Sequence, residues 1–327
     1  MRDRIRLEVR GRGAGTGVNV DIAHLRDFIA VVDSGSLTRA AAQLYVSQPA
    51  LSQRIAHLES GLGVRLLERG PRGVTPTAAG RALYRDAQQL VRQFDRIAGD
   101  VLSGDRIHGP VAVGLPTTVS VRLAPALFSW TKAHHPGIHL QLFESMSGYI
   151  QELLALGRLD LAVLYRDDDT VRPAETLLYS EDLFLIGQPK PPAADEDEIG
   201  LVDLQNTPLV VPGGRSNLRE LIDRAFTAQG LVPSIVADVD SLGAMIRIAA
   251  GGEACTILPL SSVADQANHR ELGVRRIRNP VISRSVAVCN AVEYYPARDA
   301  VAAVREGISV VTRQMSAAGE WPGIRLA

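Results

Sequence analysis

Apolar side chains near the N-terminus recur with the 3.6-residue period of amphipathic helices. The first stripe is formed by Ile22, Leu25, Phe28, Ile29 and Val32. It predicts a helix over 22–33 that ends at Ser34-Gly35. Ser36 can cap a second short helix over 37–44, and Ser47 can cap a third over about 48–60. Two short helices joined by a tight turn predict a helix-turn-helix.

A strand, turn and strand pattern follows the third helix. Residues 64–69 and 73–76 flank the turn Gly70-Pro71-Arg72-Gly73, which predicts a wing with arginines near its tip. Glutamine can bond adenine, serine a base edge or phosphate, and arginine guanine or the backbone, so these polar side chains suit DNA. The alternative is that they form only a solvated surface. The candidate DNA-binding residues are Ser36, Thr38, Ser47, Gln48, Pro49, Ser52, Gln53, Arg54, Arg69 and Arg72.

Charge is unevenly distributed along the chain. The net charge of −1 over 327 residues by itself argues against a nucleic-acid-binding protein. Residues 34–81 nevertheless contain six arginines and two acids, a local balance of +4, whereas acids cluster at 167–169 and 195–198. This segregation is expected when one domain contacts phosphate and another does not, so the expected partner is double-stranded DNA.

A heptad seam follows the wing, in a stretch over 81–98 without glycine or proline. Its apolar members are Leu83, Ala87, Leu90, Phe94, Ile97 and Val101. About three heptads make a marginal isolated helix, and the local sequence offers no partner for the seam. A second subunit would supply one and would present two DNA-reading helices to a two-fold site. The alternative is that the seam packs on the C-terminal domain of its own chain.

The pattern changes at Gly109-Pro110, after which strand-like and helical runs alternate. Strands are predicted at 111–114, 139–143, 159–164, 183–186, 209–211, 234–239, 254–258 and 285–289. Helices are predicted at about 119–134, 148–156, 218–229, 242–249 and 298–314. This alternation predicts an α/β domain with largely parallel sheets.

Small hydroxyl residues recur where a predicted strand leads into a helix. In open α/β sheets such loops line the ligand crevice, and helix N-termini favour anions. We therefore expect a cleft for a small, anionic effector. The alternative for each hydroxyl is that it only caps its own helix. The candidate effector-binding residues are Thr117, Thr118, Ser145, Ser216 and Ser241.

A set of residues across the N-terminal segment forms one signature: 40–52 (AAAQLYVSQPALS), Ile55, Leu58-Glu59, Leu62-Gly63, 66–69 (LLER), Arg72 and 75–80 (TPTAAG). This set resembles the signature of LysR-type transcriptional regulators. The resemblance implies that Gln48, Pro49 and Ser52 lie at the DNA groove, and that the wing carries the arginines at 69 and 72. Many members have Arg-Gln after the second serine, whereas this chain has Gln53-Arg54, so which of the two reaches DNA is open.

The C-terminal segment also resembles the LysR-type effector domain, which is similar to type 2 periplasmic-binding proteins. The matching segments are 109–114, 136–138 and 157–163. The resemblance implies two α/β lobes, with the chain crossing near Leu185 and returning near Val286, and assembly to dimers or tetramers. Segments 114–120 and 144–149 resemble the nitrogen-assimilation control subgroup.

These expectations define a multidomain α plus α/β protein that regulates transcription. The expected parts are an extension at 1–19, which is disordered or precedes a true start near Val20, a winged helix-turn-helix at 20–80, a linker helix at 81–108 and an effector domain at 109–327. Lobe I comprises about 109–185 and 286–327, and lobe II about 186–285. The expected partners are DNA, a small-molecule effector and a second subunit, and contact with RNA polymerase is left open.

Other classes of protein fit the sequence less well. No phosphate-binding lysine loop, GxSxG elbow or HExxH pair occurs, so we expect no enzyme, metal or cofactor. His134-His135 lies before a proline without a partner cluster, which favours a capping or surface role. Cys255 and Cys289 lie in apolar runs, which favours reduced thiols over a redox pair. Without an apolar spanning run or a secretory signal, we expect a cytoplasmic location and no membrane partner.

Overall fold

The computed structural model describes residues 20–70, 73–102, 107–166, 175–187, 198–264, 272–291 and 299–327. Within 92–102 it describes only the side chain of Phe94. The chain divides into two compact units, Met1–Asp105 with Leu156–Arg158, and Arg106–Ala155 with Leu159–Ala327. The predicted extension at 1–19 and Arg72 of the wing lie outside the described residues.

The N-terminal unit is a helix-turn-helix followed by a two-stranded wing and a long helix. Its elements are α1 (Ile22–Ser34), α2 (Leu37–Gln43), α3 (Gln48–Leu62), β1 (Leu67–Gly70), β2 (Gly73–Pro76) and α4 (Ala78–Leu102). The hydroxyls of Ser36 and Ser47 accept hydrogen bonds from the amides of Arg39 and Ala50, so the predicted caps are present. The core consists mainly of Phe28, Val31, Leu51, Ile55 and Leu58.

The wing is fixed to α3 by a carboxylate. Glu59 of α3 accepts hydrogen bonds from the amides of Leu66 and Leu67, at 2.7 and 3.1 Å, where β1 begins. Gly80 in the first turn of α4 approaches the Leu66 carbonyl so closely that a Cβ would lie 2.0 Å from that oxygen. The wing therefore has a fixed position on the helix-turn-helix.

The second unit contains the remaining helices and strands. They are β3 (Gly109–Pro116), α5 (Thr117–His134), β4 (Ile138–Ser145), α6 (Ser147–Ala155), β5 (Leu161–Arg166), β6 (Glu175–Gly187), β7 (Glu198–Gly200), β8 (Leu209–Val211), α7 (Asn217–Ala228), β9 (Ile235–Asp238), α8 (Leu242–Gly251), β10 (Thr256–Pro259), β11 (Gly273–Arg278), β12 (Ser283–Asn290), α9 (Asp299–Ala317) and β13 (Ile324–Leu326). Short 3₁₀ turns lie at Val202–Leu204 and Leu260–Ser262. No helix among the described residues is both long and apolar enough to cross a bilayer.

The sheets of this unit are mixed, and the prediction of largely parallel sheets was wrong. The strand order is β4-β3-β5-β12-β6-β11-β7, with β10 and β13 also paired to β6, while β8 and β9 form a separate parallel pair. Strand β3 runs parallel to β4 and β5, but β12 is antiparallel to β5 and β6. The reason is that β6 and β12 carry the chain between the lobes in opposite directions.

Two apolar cores show where the lobes divide. The lobe I core includes Val113, Leu123, Tyr179 and Val288, and the lobe II core includes Leu185, Phe226 and Ile257. Strand β6 pairs with β12 through Asp182 and with β10 from Leu183 onward, and the Leu183 amide donates to the Ile282 carbonyl at 2.8 Å. The crossovers therefore lie at 182–183 and 282–283, a few residues from the predicted positions.

Candidate DNA-binding and effector sites

The polar face of α3 is exposed and largely unengaged by the protein. Ser47, Gln48, Pro49 and Gln53 are all exposed, as is Thr38 of α2. Within the described residues, the side-chain amides of Gln48 and Gln53 have no hydrogen-bond partner, so the donors and acceptors of these side chains are available to a ligand. Exposed polar groups of this kind, projecting from a short helix, match the chemistry of base edges in the major groove.

Two candidate arginines of this unit make side-chain contacts. Arg69 of the wing donates to the hydroxyl of Ser52 on α3, with a distance of 3.2 Å. Arg54 pairs with Asp27 of α1, with 3.2 Å between Nη1 and Oδ2. Sequence reasoning did not single out Asp27, whose only signal is a carboxylate beside the apolar stripe of α1. Ser36, the remaining candidate, is half-buried and caps α2.

The predicted dimerisation seam on α4 has two parts. Leu83 packs against the core of the N-terminal unit, and Ala87 is fully buried. Leu90 and Phe94 are 41% and 37% exposed. The side chains of Ile97 and Val101 lie outside the described residues. The first half of the seam is therefore already covered, and the described apolar surface on α4 begins at Leu90.

The cleft between the two lobes brings all five predicted effector residues together. Thr117, Thr118, Ser145 and Ser216 line a cavity of about 50 Å³. Thr117, Ser145 and Ser241 line an adjoining groove of about 620 Å³. The starts of α5, α6, α7 and α8 meet here, and their amide groups and dipoles favour negative charge.

The five hydroxyls differ in what they bond. Ser241 accepts from the Ala244 amide at 3.3 Å, so it caps α8 as the alternative interpretation holds. Thr118 bonds the Tyr165 hydroxyl at 2.5 Å and accepts from Arg284 at 3.1 Å. Within the part of the chain that the structure describes, Thr117, Ser145 and Ser216 have no side-chain hydrogen bond, although Ser216 is only 7% exposed.

An arginine that the sequence analysis missed also lines the cavity. Arg284 of β12 is buried, pairs with Glu181 of β6 at 2.7 Å and lies 3.6 Å from the centroid of the Tyr165 ring. Its Nη1 donates no hydrogen bond to any described residue. A charged residue that starts an apolar strand was the only sequence signal. Burial raises the pKa of Glu181, and the positive charge of Arg284 opposes that shift.

The next residue on β6, Asp182, forms ion pairs with two other arginines at the crossover. Asp182 pairs with Arg276 at 2.9 Å and with Arg325 at 2.8 Å. Burial by itself raises the pKa of Asp182, but the hydrogen bonds from Arg325 and Arg276 outweigh it and leave the pKa below its usual range. Consecutive acidic residues on β6 therefore bind arginines on different strands of the crossover.

The lobes also contact each other beside the cavity. The Ser147 hydroxyl at the start of α6 accepts a hydrogen bond from the Asn217 amide at the start of α7, at 3.1 Å. A Cβ on Gly148 would lie 2.6 Å from the Arg215 carbonyl oxygen. The two lobes therefore lie close together here, and a residue of lobe I satisfies the first amide of α7 in lobe II.

The cysteines and His134 make contacts that fit a structural role. Cys255 and Cys289, the two cysteines of the chain, form no disulfide, and burial raises the pKa of the Cys255 thiol. His134 bonds the Trp130 carbonyl in its own helix at 2.8 Å and stacks on the Trp130 ring. Across the described ranges, no group of three metal-binding side chains comes together.

A winged helix-turn-helix joined to a two-lobed domain with a ligand cleft defines a DNA-binding regulator that responds to a small molecule. Residues 22–81 match the bacterial regulatory helix-turn-helix protein, lysR family, and residues 104–313 match the LysR substrate binding domain. The chain belongs to the LysR family of transcriptional regulators.

Individual relatives agree with this assignment. The nitrogen assimilation regulatory protein nac of Escherichia coli is 31% identical over 82% of this chain and 88% of its own length. The regulator CysL of Bacillus subtilis is 26% identical over 80% of this chain and 88% of its own. The match to nac agrees with the predicted subgroup.

Solved structures share the fold. A full-length OxyR variant from Pseudomonas aeruginosa matches with a TM-score of 0.67 and 23% identity, covering 90% of this chain and 95% of that one. Full-length CbnR in complex with its target DNA matches with a TM-score of 0.63 and 24% identity, covering 90% and 99%. At these identities the likeness concerns the fold.

Proposed function

We propose that two subunits, joined through α4, bind a two-fold DNA site with paired α3 helices, and that a small anion bound in the interlobe cleft modulates this binding. The observation that carries the proposal is the free polar surface of α3, where Gln48 and Gln53 have no partner among the described residues. The protein acts in the cytoplasm and without catalysis, as its relatives are regulators and not enzymes.

The direct contacts to DNA come from α3 and the wing. Gln48, Ser52 and Gln53 read base edges, Pro49 lies beside them at the groove, and Ser36, Thr38 and Ser47 contact phosphates at the helix starts. Arg69 reaches phosphates or the minor groove from the wing, as does Arg72. The local charge balance of +4 over 34–81 supports this assignment, because phosphate contacts supply most of the sequence-independent affinity.

Dimerisation uses the exposed part of the α4 seam. Leu90 and Phe94 are large apolar side chains that are partly exposed in the single chain. The helix of a second subunit would cover them. Leu90→Asp/Phe94→Asp should therefore convert the assembly to monomers in sedimentation, whereas Arg85→Asp, an exposed site on the same helix with the same change of charge, should not. A double variant that sediments like wild type would refute this interface.

The effector is a small anion. The starts of four helices face the cleft, and the hydroxyls of Thr117, Ser145 and Ser216 have no partner among the described residues. A cavity of about 50 Å³ has room for roughly four water molecules or a ligand of that size. Since Glu181 already neutralises Arg284, the helix starts supply most of the attraction for an anion.

Two measurements test the proposal. Purified protein is mixed with fragmented genomic DNA, and the retained fragments are sequenced; a roughly two-fold motif is expected, and retention without a motif would refute specific recognition. Small mono- and dicarboxylates, each paired with its neutral amide, are then compared by thermal shift. Stabilisation by a carboxylate alone supports an anionic effector, and equal stabilisation by its amide contradicts it.

A further inference from the structure

Arg54 and Gln53 are neighbours on α3, yet they point in different directions. The buried side chains Leu51, Ile55 and Leu58 mark the direction of the core. At about 100° per residue, Gln53 lies roughly 165° from that direction and Arg54 roughly 65°. Gln53 therefore points away from the rest of the unit, whereas Arg54 flanks the surface where α3 packs on α1.

The partner of Arg54 is a buried carboxylate. The side chain of Asp27 is 7% exposed and lies on α1 next to the core residue Phe28. Among the described residues, Arg54 is the cation that Asp27 contacts. A carboxylate in such a position is costly unless it is paired, so the pair constrains both helices.

Arg54 remains partly accessible to solvent. The sequence alone left open whether Arg54 or Gln53 reaches DNA. The side chain of Arg54 is 46% exposed, although its Nη1 lies 3.2 Å from the carboxylate of the buried Asp27. Moving the guanidinium to a base would break the ion pair and leave the Asp27 carboxylate buried without a cation. That cost favours Arg54 staying on α1 when DNA binds.

We infer that Arg54 is a positioning residue that fixes the angle of the recognition helix through Asp27, and that Gln53 is the residue that reads a base at this position. The inference rests on the proposed role of α3 in the DNA groove. It also gives a chemical class for the contact, because a glutamine that bonds a base edge with both its amide groups selects adenine. An arginine at the same position would favour guanine.

The test uses the full-length chain and selection from random-sequence DNA, followed by fluorescence anisotropy on the selected sites. Gln53→Ala should keep the thermal midpoint of wild type and lose about tenfold preference at one position of each half-site. Gln53→Arg should change the preferred base there to guanine. If Gln53→Ala retains the wild-type preference, Gln53 is not the reader.

Arg54→Gln and Asp27→Asn form a matched pair of variants. Each should lower the midpoint of the N-terminal unit by about 5 °C and weaken binding by the same factor at every selected site. The double variant Asp27→Asn/Arg54→Gln should recover much of the lost stability, because an uncharged amide pair replaces the unpaired charge. Arg54→Lys, which keeps the cation, should bind with the wild-type preference even if Arg54→Gln does not fold.

The outcomes separate this inference from the proposed function. If wild type selects no sequence at all, recognition through α3 is wrong. If wild type selects a site but Arg54→Gln or Arg54→Lys changes the preferred base with an unchanged midpoint, Arg54 is a reader and the inference fails. A double variant that loses as much stability as the sum of the single variants also contradicts the ion pair as the cause.

Discussion

Serines begin helices in both units, but their hydroxyls are used differently. In the N-terminal unit Ser36 and Ser47 accept hydrogen bonds from amides of their own helices. At the start of α7 in the second unit, the first amide, that of Asn217, bonds to Ser147 from the other lobe. Ser216, the N-cap residue of α7, makes no capping bond. Ser241 in the second unit is a local cap as well, so the contrast is between the capped starts of α2, α3 and α8 and the start of α7 beside the cleft.

The difference between these helix starts concerns which polar groups remain available to a ligand. A helix start needs its free amides satisfied, and a serine at the N-cap normally does this. At the start of α7 a residue of the opposite lobe satisfies the first amide and links the two lobes, while the Ser216 hydroxyl makes no capping bond. The first amide of α7 therefore depends on a distant segment, whereas the amides capped by Ser36 and Ser47 depend on near neighbours.

The largest expected effect comes from the buried ion pair of Arg284 and Glu181, whose arginine lines the cavity. Arg284→Ala leaves the Glu181 carboxylate buried without its cation, and the loss should be about 3–5 kcal/mol in the stability of the second unit. Calorimetry of the full-length protein would measure it. The double variant Glu181→Gln/Arg284→Met should be markedly more stable than Arg284→Ala; if it is not, the unpaired charge is not the cause.

Removal of the cap that spans the cleft should have the next largest effect. Ser147→Ala leaves the Asn217 amide without its partner, at a cost of about 1–3 kcal/mol. Ser147→Thr keeps the hydroxyl and serves as the matched control in chemical denaturation. Equal losses for the alanine and threonine variants would show that the hydrogen bond contributes nothing.

Removing a local cap in the N-terminal unit should lower the free energy of unfolding by a smaller amount. Ser47→Ala removes the acceptor of the Ala50 amide, and we expect a loss of about 1 kcal/mol in the transition of that unit. Ser47→Asp should retain the cap, and its stability should therefore be close to wild type. An alanine variant with an unchanged midpoint would mean that solvent replaces the cap at no cost.

The smallest effect on stability is expected at Ser216. Ser216→Ala removes a hydroxyl with no described partner, so its free energy of unfolding should lie within about 0.5 kcal/mol of wild type. The same variant should bind more weakly any carboxylate that raises the wild-type midpoint. A stability loss as large as that of Ser47→Ala would remove the difference between the two helix starts.

Much of the N-terminal unit was determined by the sequence, because its signals are local. The apolar period, the serine caps and the turn residues lie within a few positions of the groups that they satisfy, and they predicted α1, α2, α3 and the wing. The cleft hydroxyls were also predicted, since they occupy strand-to-helix junctions. These features need no knowledge of distant contacts.

Only the tertiary structure decided the charge partners and the direction of the strands. Asp27 and Arg54 are 27 positions apart, and Glu181 and Arg284 are 103 positions apart, so no local pattern joins them. The crossover strands β6 and β12 make the sheets mixed, because pairing direction depends on the path of the chain between the lobes. Desolvation then determines which buried carboxylates require an arginine, and burial is a property of the folded chain.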